Sequence, residues 1–546
     1  MNSPFAGPKP ARIEQRHRPT TAAVLGGLCF ALTAPPINFH LGVPLGLAAL
    51  FLASELPATA PKGKRRAFFR GWLWATSAGL LGLRFVPAVV DRFTPLGVAG
   101  GVLALLLLAA FQALGWGLGT LLAWLLEARL KLDRRLAFPC GVLFACVWPG
   151  VFAWTPGALL SEWVPVIQLA EVVGERGLSF LMALGVACMA WPLRQHFREE
   201  PIQASSSRFH RPAVSVVLGV IVWAALFGYG VGRLKTLPVQ RGSVKVALIQ
   251  PATDARLRWE PSQRMEILSR LRRVTVEAEA AGAELSIWPE AAYPFLLSPE
   301  AGHEPRGGRA IHINGVKGPV LLGTLTPARA PAGERPEGQY NAATLIDAQG
   351  HQQRVQAKLQ LLWFGESLPF GAQSIPWLRK VFFRAGGLVP GDEVVLLTHP
   401  TQSGELRMAV LNCYEDILPG VGRRMAAEGP NLLVNVTNDA WFEGSIESAL
   451  HLRLSVLRAV ETRRDLVRAV NLGLPAWIDR SGRLRELGSP SPAGFTLVTP
   501  SMDNSPPTFY VRFGDYPLLA LLGLLLGLRA FRVARERRAA SSDPQS

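Results

Sequence analysis

A series of apolar runs, separated by short basic stretches and many of them long enough to cross a bilayer, limits what this chain can become. Candidates fall near 21–36, 41–56, 68–90, 95–126, 136–154, 178–193, 212–234 and 516–531. Roughly 17 to 25 apolar residues suffice for a helical span, so the pattern predicts a multi-pass α-helical membrane domain of about seven helices over 1–242. A last helix and a basic tail are expected over 514–546. Composition agrees, because 49% hydrophobic residues, 18% charged residues and a mean hydropathy of +0.22 combine membrane and aqueous parts in one polypeptide. The first run follows a basic N-terminus and ends in small residues, which also fits a signal peptide. Pro35, Pro36 and the further apolar runs favour a retained anchor.

The net charge of +17 is distributed in the same rhythm. Runs 1–20, 61–70, 127–135, 194–211 and 529–546 hold 22 Lys and Arg against 7 Asp and Glu, whereas the loops near 35–41, 84–94 and 155–177 hold only Arg84, Arg92 and Arg176. Basic loops stay on the cytoplasmic side. Both termini are therefore expected in the cytoplasm and 243–513 outside it. Basic residues scattered between apolar runs do not make a phosphate-binding face, which argues against nucleic acid as a partner.

Segment 243–513 changes character. Strand-like runs at 244–250, 285–290, 318–325, 341–347, 407–413, 431–437, 466–471 and 475–479 alternate with helical patterns at 261–281 and 447–463. Strands apolar on both faces and interleaved with helices predict an α/β layered domain with a buried sheet. Cys29, Cys140, Cys146 and Cys188 lie in apolar stretches, and Cys413 is the single thiol of the polar domain, so that domain can form no internal disulfide. A lone thiol without metal-ligand spacing is either core filler or a reactive group.

Three segments end predicted strands with reactive or polar groups: Trp288-Pro289-Glu290, Lys358 running to Trp363-Phe364-Gly365-Glu366, and Asn412-Cys413-Tyr414-Glu415. Strand ends are where α/β sheets present active residues. A cysteine nucleophile needs a base for its proton and a cation or donor for the oxyanion, roles that a Glu and a Lys can fill.

The order and punctuation of these segments, with Asn438-Asp439-Ala440-Trp441-Phe442, resemble the nitrilase, or carbon–nitrogen hydrolase, superfamily over essentially all of 243–500. With the flanking membrane helices, the chain is similar to one branch of it, the apolipoprotein N-acyltransferases. The resemblance implies an αββα sandwich with Glu290 as general base, Lys358 as oxyanion cation and Cys413 as the nucleophile that becomes a thioester. Glu366 would orient Lys358, and Tyr414 and Glu415 would shape the pocket. Trp259, Trp363, Phe364 and Trp441 would stand near the substrate entrance. It further implies a bacterial inner-membrane enzyme with a periplasmic catalytic domain. A phospholipid would be the acyl donor and a diacylated apolipoprotein the acceptor. The protein would act as a monomer, with no metal or organic cofactor. Leu362-Trp363 replaces the family's Val-Pro before Phe-Gly-Glu, and Asn471-Leu472-Gly473-Leu474 replaces Asn-Asn-Gly-Ile.

Other readings stand beside this one. The same triad with water as acceptor would make a membrane-anchored amidase or hydrolase, and an inert domain on a transporter or receptor is a further alternative. Glu366 and Glu415 read equally as ordinary salt-bridge partners. Gly115, Gly117 and Gly119 sit in an apolar run without lysine, so helix packing suits them better than phosphate binding. His451 is given no role, being far from any strand end and without an evident acidic partner at helical spacing. The loop carrying Trp363, Phe364, Phe370, Trp377, Phe382 and Phe383 among Arg379, Lys380 and Arg384 reads either as core or, the favoured reading, as resting on lipid headgroups.

Overall fold

A computed structural model describes residues 10–541 apart from 58–59, 61, 153, 198–210, 239–241, 258–259, 330–337, 369–373, 377–386 and 490–491. Trp259 and the aromatic residues of the 370–383 loop thus lie outside the described residues. The N-terminal half is helical: α1 Pro10–Ala31, α2 Gly42–Ala53, α3 Gly63–Gly82, α4 Val86–Phe93, α5 Gly97–Leu130, α6 Arg134–Val147, α7 Ala170–Ala190 and α8 Pro212–Thr236. Every apolar run falls on this helical set or on the last helix, Tyr516–Ser541. Among the described residues, four helices are long and apolar enough to span a membrane, or five if α3 and α4, bent by 59° at their junction, are one span. The eight expected runs exceed that number for local reasons. Helix α2 has 12 residues, α6 has 14 with Pro139 inside it, and α1 starts in a charged stretch.

The helices approach closely where glycine permits. A Cβ on Gly119 of α5 would lie 2.3 Å from the carbonyl oxygen of Gly141 on α6, and one on Gly115 would lie 2.7 Å from the Trp148 side chain. Helix α7 begins earlier than its hydropathy suggests, so Glu171, Glu175 and Arg176 belong to the helix and not to a loop. Partners from elsewhere make this tolerable. Arg463 and Arg233 bind Glu171 at 2.7 and 2.5 Å, Arg458 binds Glu175 at 2.6 Å, and Asp515 binds Arg176 at 2.6 Å.

The second half forms two sheets. Strands β1 Val246–Gln250, β2 Leu285–Trp288, β3 Gly302–His303, β4 Val320–Pro327, β5 Gln339–Ile346, β6 His351–Gln352 and β7 Gln356–Ala357 form the first sheet with β14 Gly494–Val498, in the order β14-β1-β2-β4-β5-β6-β3 with β7 also on β5. The second sheet runs β13 Leu484–Leu487, β12 Ala476–Ile478, β11 Leu466–Val470, β10 Leu432–Thr437, β9 Gly404–Asn412 and β8 Leu397–Thr401. Strands β1, β2 and β4 are parallel, as are β9, β10 and β11, which explains their two-sided apolar sequences. Val246, Leu248, Ile287 and Leu345 meet Met408, Val410, Val434 and Val467 between the sheets.

Helix α9 Arg264–Ala280 covers the outer face of the first sheet through Leu268 and Leu271. Helices α10 Pro419–Ala427 and α11 Glu447–Thr462 cover the second. The layers are therefore αββα. Helix α11 has no solvent face. Its Leu454, Leu457 and Val460 belong to one apolar core with Leu411 and Leu433 of the second sheet and with Phe30, Leu47 and Met182 of the membrane helices.

Candidate active site

Each of the three expected site residues follows a strand end, and each is held by a particular backbone device. Glu290 lies just past β2, where Gly323 of β4 permits a tight crossing: a Cβ there would stand 2.4 Å from the Pro289 oxygen and 2.7 Å from Glu290 Cα. Lys358 follows β7 and is fixed by its own backbone, donating to Asn341 O at 2.8 Å and accepting from Gly391 N at 2.8 Å. Cys413 follows β9 directly and opens the one-turn helix Cys413–Ile417 with a φ of +53°, a left-handed value that non-glycine residues seldom hold. Its carbonyl accepts a 2.8 Å bond from Asn435.

Lys358 is 1% exposed, and its ammonium lies 2.8 Å from Glu366, 3.4 Å from Glu290 and 5.4 Å from the centre of the Tyr414 ring. Burial opposes its charge, but Glu366, Glu290, Cys413 and Glu415 outweigh that and hold its pKa well above the lysine range. Asn341 completes the arrangement by donating to Glu290 at 2.7 Å and to Glu366 at 2.9 Å. Sequence reading missed Asn341. Its one signal is a polar residue on the apolar strand QYNAATLI.

Burial, Glu290 and Asp439 push the Cys413 thiol well above the usual cysteine range, against the pull of Lys358 and Thr437. The thiol is thus protonated at rest. Glu415 is fully buried and accepts from Leu359 N at 2.6 Å, Gln360 N at 2.9 Å and Asn412 N at 2.8 Å. It ties the Lys358 loop to the Cys413 turn. Burial raises its pKa to about 7, although Lys358 and the three amides favour the anion. Tyr414 donates to Leu361 O at 2.8 Å.

Two of the entrance candidates, Trp363 and Trp441, touch membrane helices. Trp363 packs 6.4 Å from Phe111 of α5, so the departure at Leu362-Trp363 supplies a contact with the helical half. Trp441 lies 4.4 Å from Phe93 of α4, and Phe364 is exposed. Asn471, at the other departure, accepts from Thr253 N at 2.8 Å and donates to Asn438 at 3.0 Å.

A cavity of about 460 Å³ lies where the two halves meet, lined by Trp74 and Trp116 of the helices and by Gln360, Trp363 and Tyr414 of the sandwich. Three residues of its wall carry a buried nitrogen, Nε1 of Trp148, Nε1 of Trp154 and Nε of Arg176, with no hydrogen-bond partner among the described residues.

His451 requires a correction. Glu447 stands four residues before it on α11, and the buried ring also faces Asp416 at 2.8 Å and Asp439 at 3.5 Å. Its acidic partners come mainly from strand-end turns distant in sequence. Asp439, Glu447 and His451 lie close together, but both ring nitrogens of His451 face carboxylates, Asp416 and Asp439, and a ring that donates on both sides has no lone pair to offer a metal.

Comparison with known proteins agrees with this architecture. Residues 245–494 match the carbon-nitrogen hydrolase family, and residues 26–188 match the apolipoprotein N-acyltransferase N-terminal domain. The apolipoprotein N-acyltransferase of Geobacter metallireducens is 31% identical over 510 residues, covering 90% of this chain and 91% of its own length. That of Rhodopseudomonas palustris is 30% identical over 542 residues, covering 93% and 94%. An amidase structure from Nesterenkonia sp. overlaps 53% of this chain and 99% of its own, at 18% identity and a TM-score of 0.32, too loose to bear on the site. With membrane helices and sandwich both matched, the chain belongs to the apolipoprotein N-acyltransferase family.

Proposed function

We propose that this multi-pass membrane protein takes an acyl chain from a phospholipid onto Cys413 and passes it to the α-amino group of an apolipoprotein's N-terminal diacylglyceryl-cysteine. The observation that carries the reading is the cavity at the junction, where Tyr414, next to Cys413, shares a wall with membrane helices. A soluble amidase has no need of that wall. A lipid whose chains stay in the bilayer does.

Cys413 Sγ attacks the ester carbonyl while Glu290 takes the thiol proton, and Lys358 moves toward the oxyanion as it forms. The tetrahedral adduct collapses, the ester C–O bond breaks, and Glu290 returns the proton to the departing lysophospholipid oxygen. An acyl thioester remains. The lipoprotein amine then attacks it, Glu290 accepts the amine proton, and the Cys413 thiolate leaves and is reprotonated. Because the resting thiol is protonated, base assistance is needed when the donor is in place. Glu366 keeps Lys358 charged and near Glu290. Glu415 and Tyr414 fix the two loops against each other.

Incubation with phospholipid and no acceptor should place a fatty acyl mass on the Cys413 peptide, removable by neutral hydroxylamine and absent from Cys413→Ala. N-acylation that persists with Ala at 413 would end this reading. The basic loops also support a sandwich on the periplasmic side of a bacterial inner membrane. Reporters fused near residue 238 and at the C-terminus should read opposite compartments, and identical readings would refute that topology.

A further inference from the structure

A buried ionic cluster lies behind Cys413, and the steps above do not use it. Its members come from four elements: Asp416 on the Cys413–Ile417 turn, Asp439 on the Asp439–Phe442 turn, Glu447 and His451 on α11, and Arg468 on β11. All five are buried. His451 Nε2 lies 2.8 Å from Asp416, and its Nδ1 lies 3.5 Å from Asp439 and 3.8 Å from Glu447. Arg468 pairs with the other Asp416 oxygen. Asp439 accepts from Ser448 at 2.6 Å and from Thr437 at 3.5 Å. One Glu447 oxygen has no hydrogen-bond partner among the described residues.

We infer that His451, as an imidazolium, is a positioning residue of the acyl-transfer site: it clamps the Cys413 turn to the Asp439 turn and cancels the Asp439 charge beside the thiol. The geometry supports both parts. One ring nitrogen reaches the turn three residues after Cys413, and the other reaches the turn two residues after Thr437. Three carboxylates face His451 against one guanidinium, so a protonated ring brings the cluster near neutrality. Burial and Arg468 disfavour the imidazolium, but Asp416 and Asp439 together outweigh them and lift the pKa to about 10. Burial also lifts Glu447 to about 8, with Asp439 adding to it, so Glu447 is largely neutral near pH 7. Asp439 acts directly on Cys413, where it joins Glu290 in opposing the thiolate that Lys358 favours. Whatever balances Asp439 therefore makes the thiol easier to ionise.

The inference rests on Cys413 being the nucleophile, but its test does not need acyl transfer. The probe is iodoacetamide on the full-length membrane protein, with alkylation of the Cys413 peptide followed by mass spectrometry from pH 6 to 10. With His451→Gln the profile should move to higher pH, and alkylation at a fixed pH below the transition should slow about tenfold for every pH unit the profile moves. The phospholipid KM should stay within about twofold while kcat falls in step with alkylation. His451→Lys, which restores a cation, should recover much of the rate. Asp439→Asn should move the profile the opposite way and speed alkylation, and it decides the matter if His451→Gln does not fold. A folded His451→Gln with an unmoved profile overturns the inference, as does alkylation that is slowed or unchanged in Asp439→Asn. Normal alkylation shifts with no acyl adduct from phospholipid would instead count against the proposed function and leave the charge balance standing.

Discussion

Two buried carboxylate–cation–carboxylate triples in this molecule have the same formal charge and opposite mechanical character. Lys358 stands between Glu366 at 2.8 Å and Glu290 at 3.4 Å, and Arg458 stands between Glu175 at 2.6 Å and Glu461 at 3.0 Å. The arginine triple joins α11 of the sandwich to α7 of the membrane half, and Glu175 N also donates to Glu461 at 2.7 Å. A planar guanidinium engages two partners in one fixed orientation, which suits a joint. A lysine ammonium is compact and turns on its stem. With one contact slack, it can leave a carboxylate for a developing oxyanion. On the proposed mechanism, the choice of cation thus separates a fastening from a working part where charge alone would not.

The contrast is tested most severely by cutting the joint. Arg458→Met leaves Glu175 and Glu461 facing each other in the core, and one-sided removal of a buried ion pair costs about 3–5 kcal/mol. The midpoint of thermal unfolding in detergent should fall sharply, while turnover per acylable Cys413 stays near normal. Normal stability with lost turnover would reverse the assignment of the two triples. Lys358→Arg is the reciprocal test. It keeps the charge but replaces the mobile ammonium, so acyl transfer should fall about 10²–10³-fold. Near-normal turnover would remove Lys358 from the chemistry.

A subtler change probes the same distinction from the side of the base. Gly323→Ala introduces a Cβ where only 2.4 Å separates it from the Pro289 oxygen, so the turn carrying Glu290 must move. About tenfold lower kcat is expected, since displacing a positioned base by a fraction of an ångström forfeits part of the 10²–10⁴-fold that general base catalysis supplies. The Cys413 iodoacetamide profile should move as well, because Glu290 is the largest charge acting on the thiol. An unchanged kcat would show that Glu290 tolerates displacement, as a purely electrostatic neighbour would.

How much of this could be read from residues alone depends on where each signal lies. Strands β1, β2, β4, β5, β9, β10, β11 and β12 are apolar runs, and burial on both faces made them legible. Strands β3, β6 and β7 have two residues each and β13 is exposed along its length, so they carry no such pattern. Glu290, Lys358 and Cys413 stood out because strand ends punctuate the sequence. Asn341 and Gly323 did not, since their importance comes from neighbours on adjoining strands. His451 was set aside although Glu447 lies one helical turn away, because Asp416 and Asp439 meet it only after folding. In the membrane half, hydropathy located the helices but missed the start of α7, where Glu171 and Glu175 look like loop residues until Arg463 and Arg458 arrive from the far end of the chain.

The enclosure of α11 also bears on how the molecule can be divided. Its Leu454, Leu457 and Val460 pack in a single core with membrane helices on one side and the second sheet on the other. A cut near residue 242 would therefore not free a finished enzyme domain. It would strip one wall from α11 and leave a broad oily face, the kind of surface that drives self-association. Secretion of residues 243–513 as a soluble fragment would require that face to be resurfaced, so the bilayer-embedded half serves this enzyme as scaffold as well as anchor.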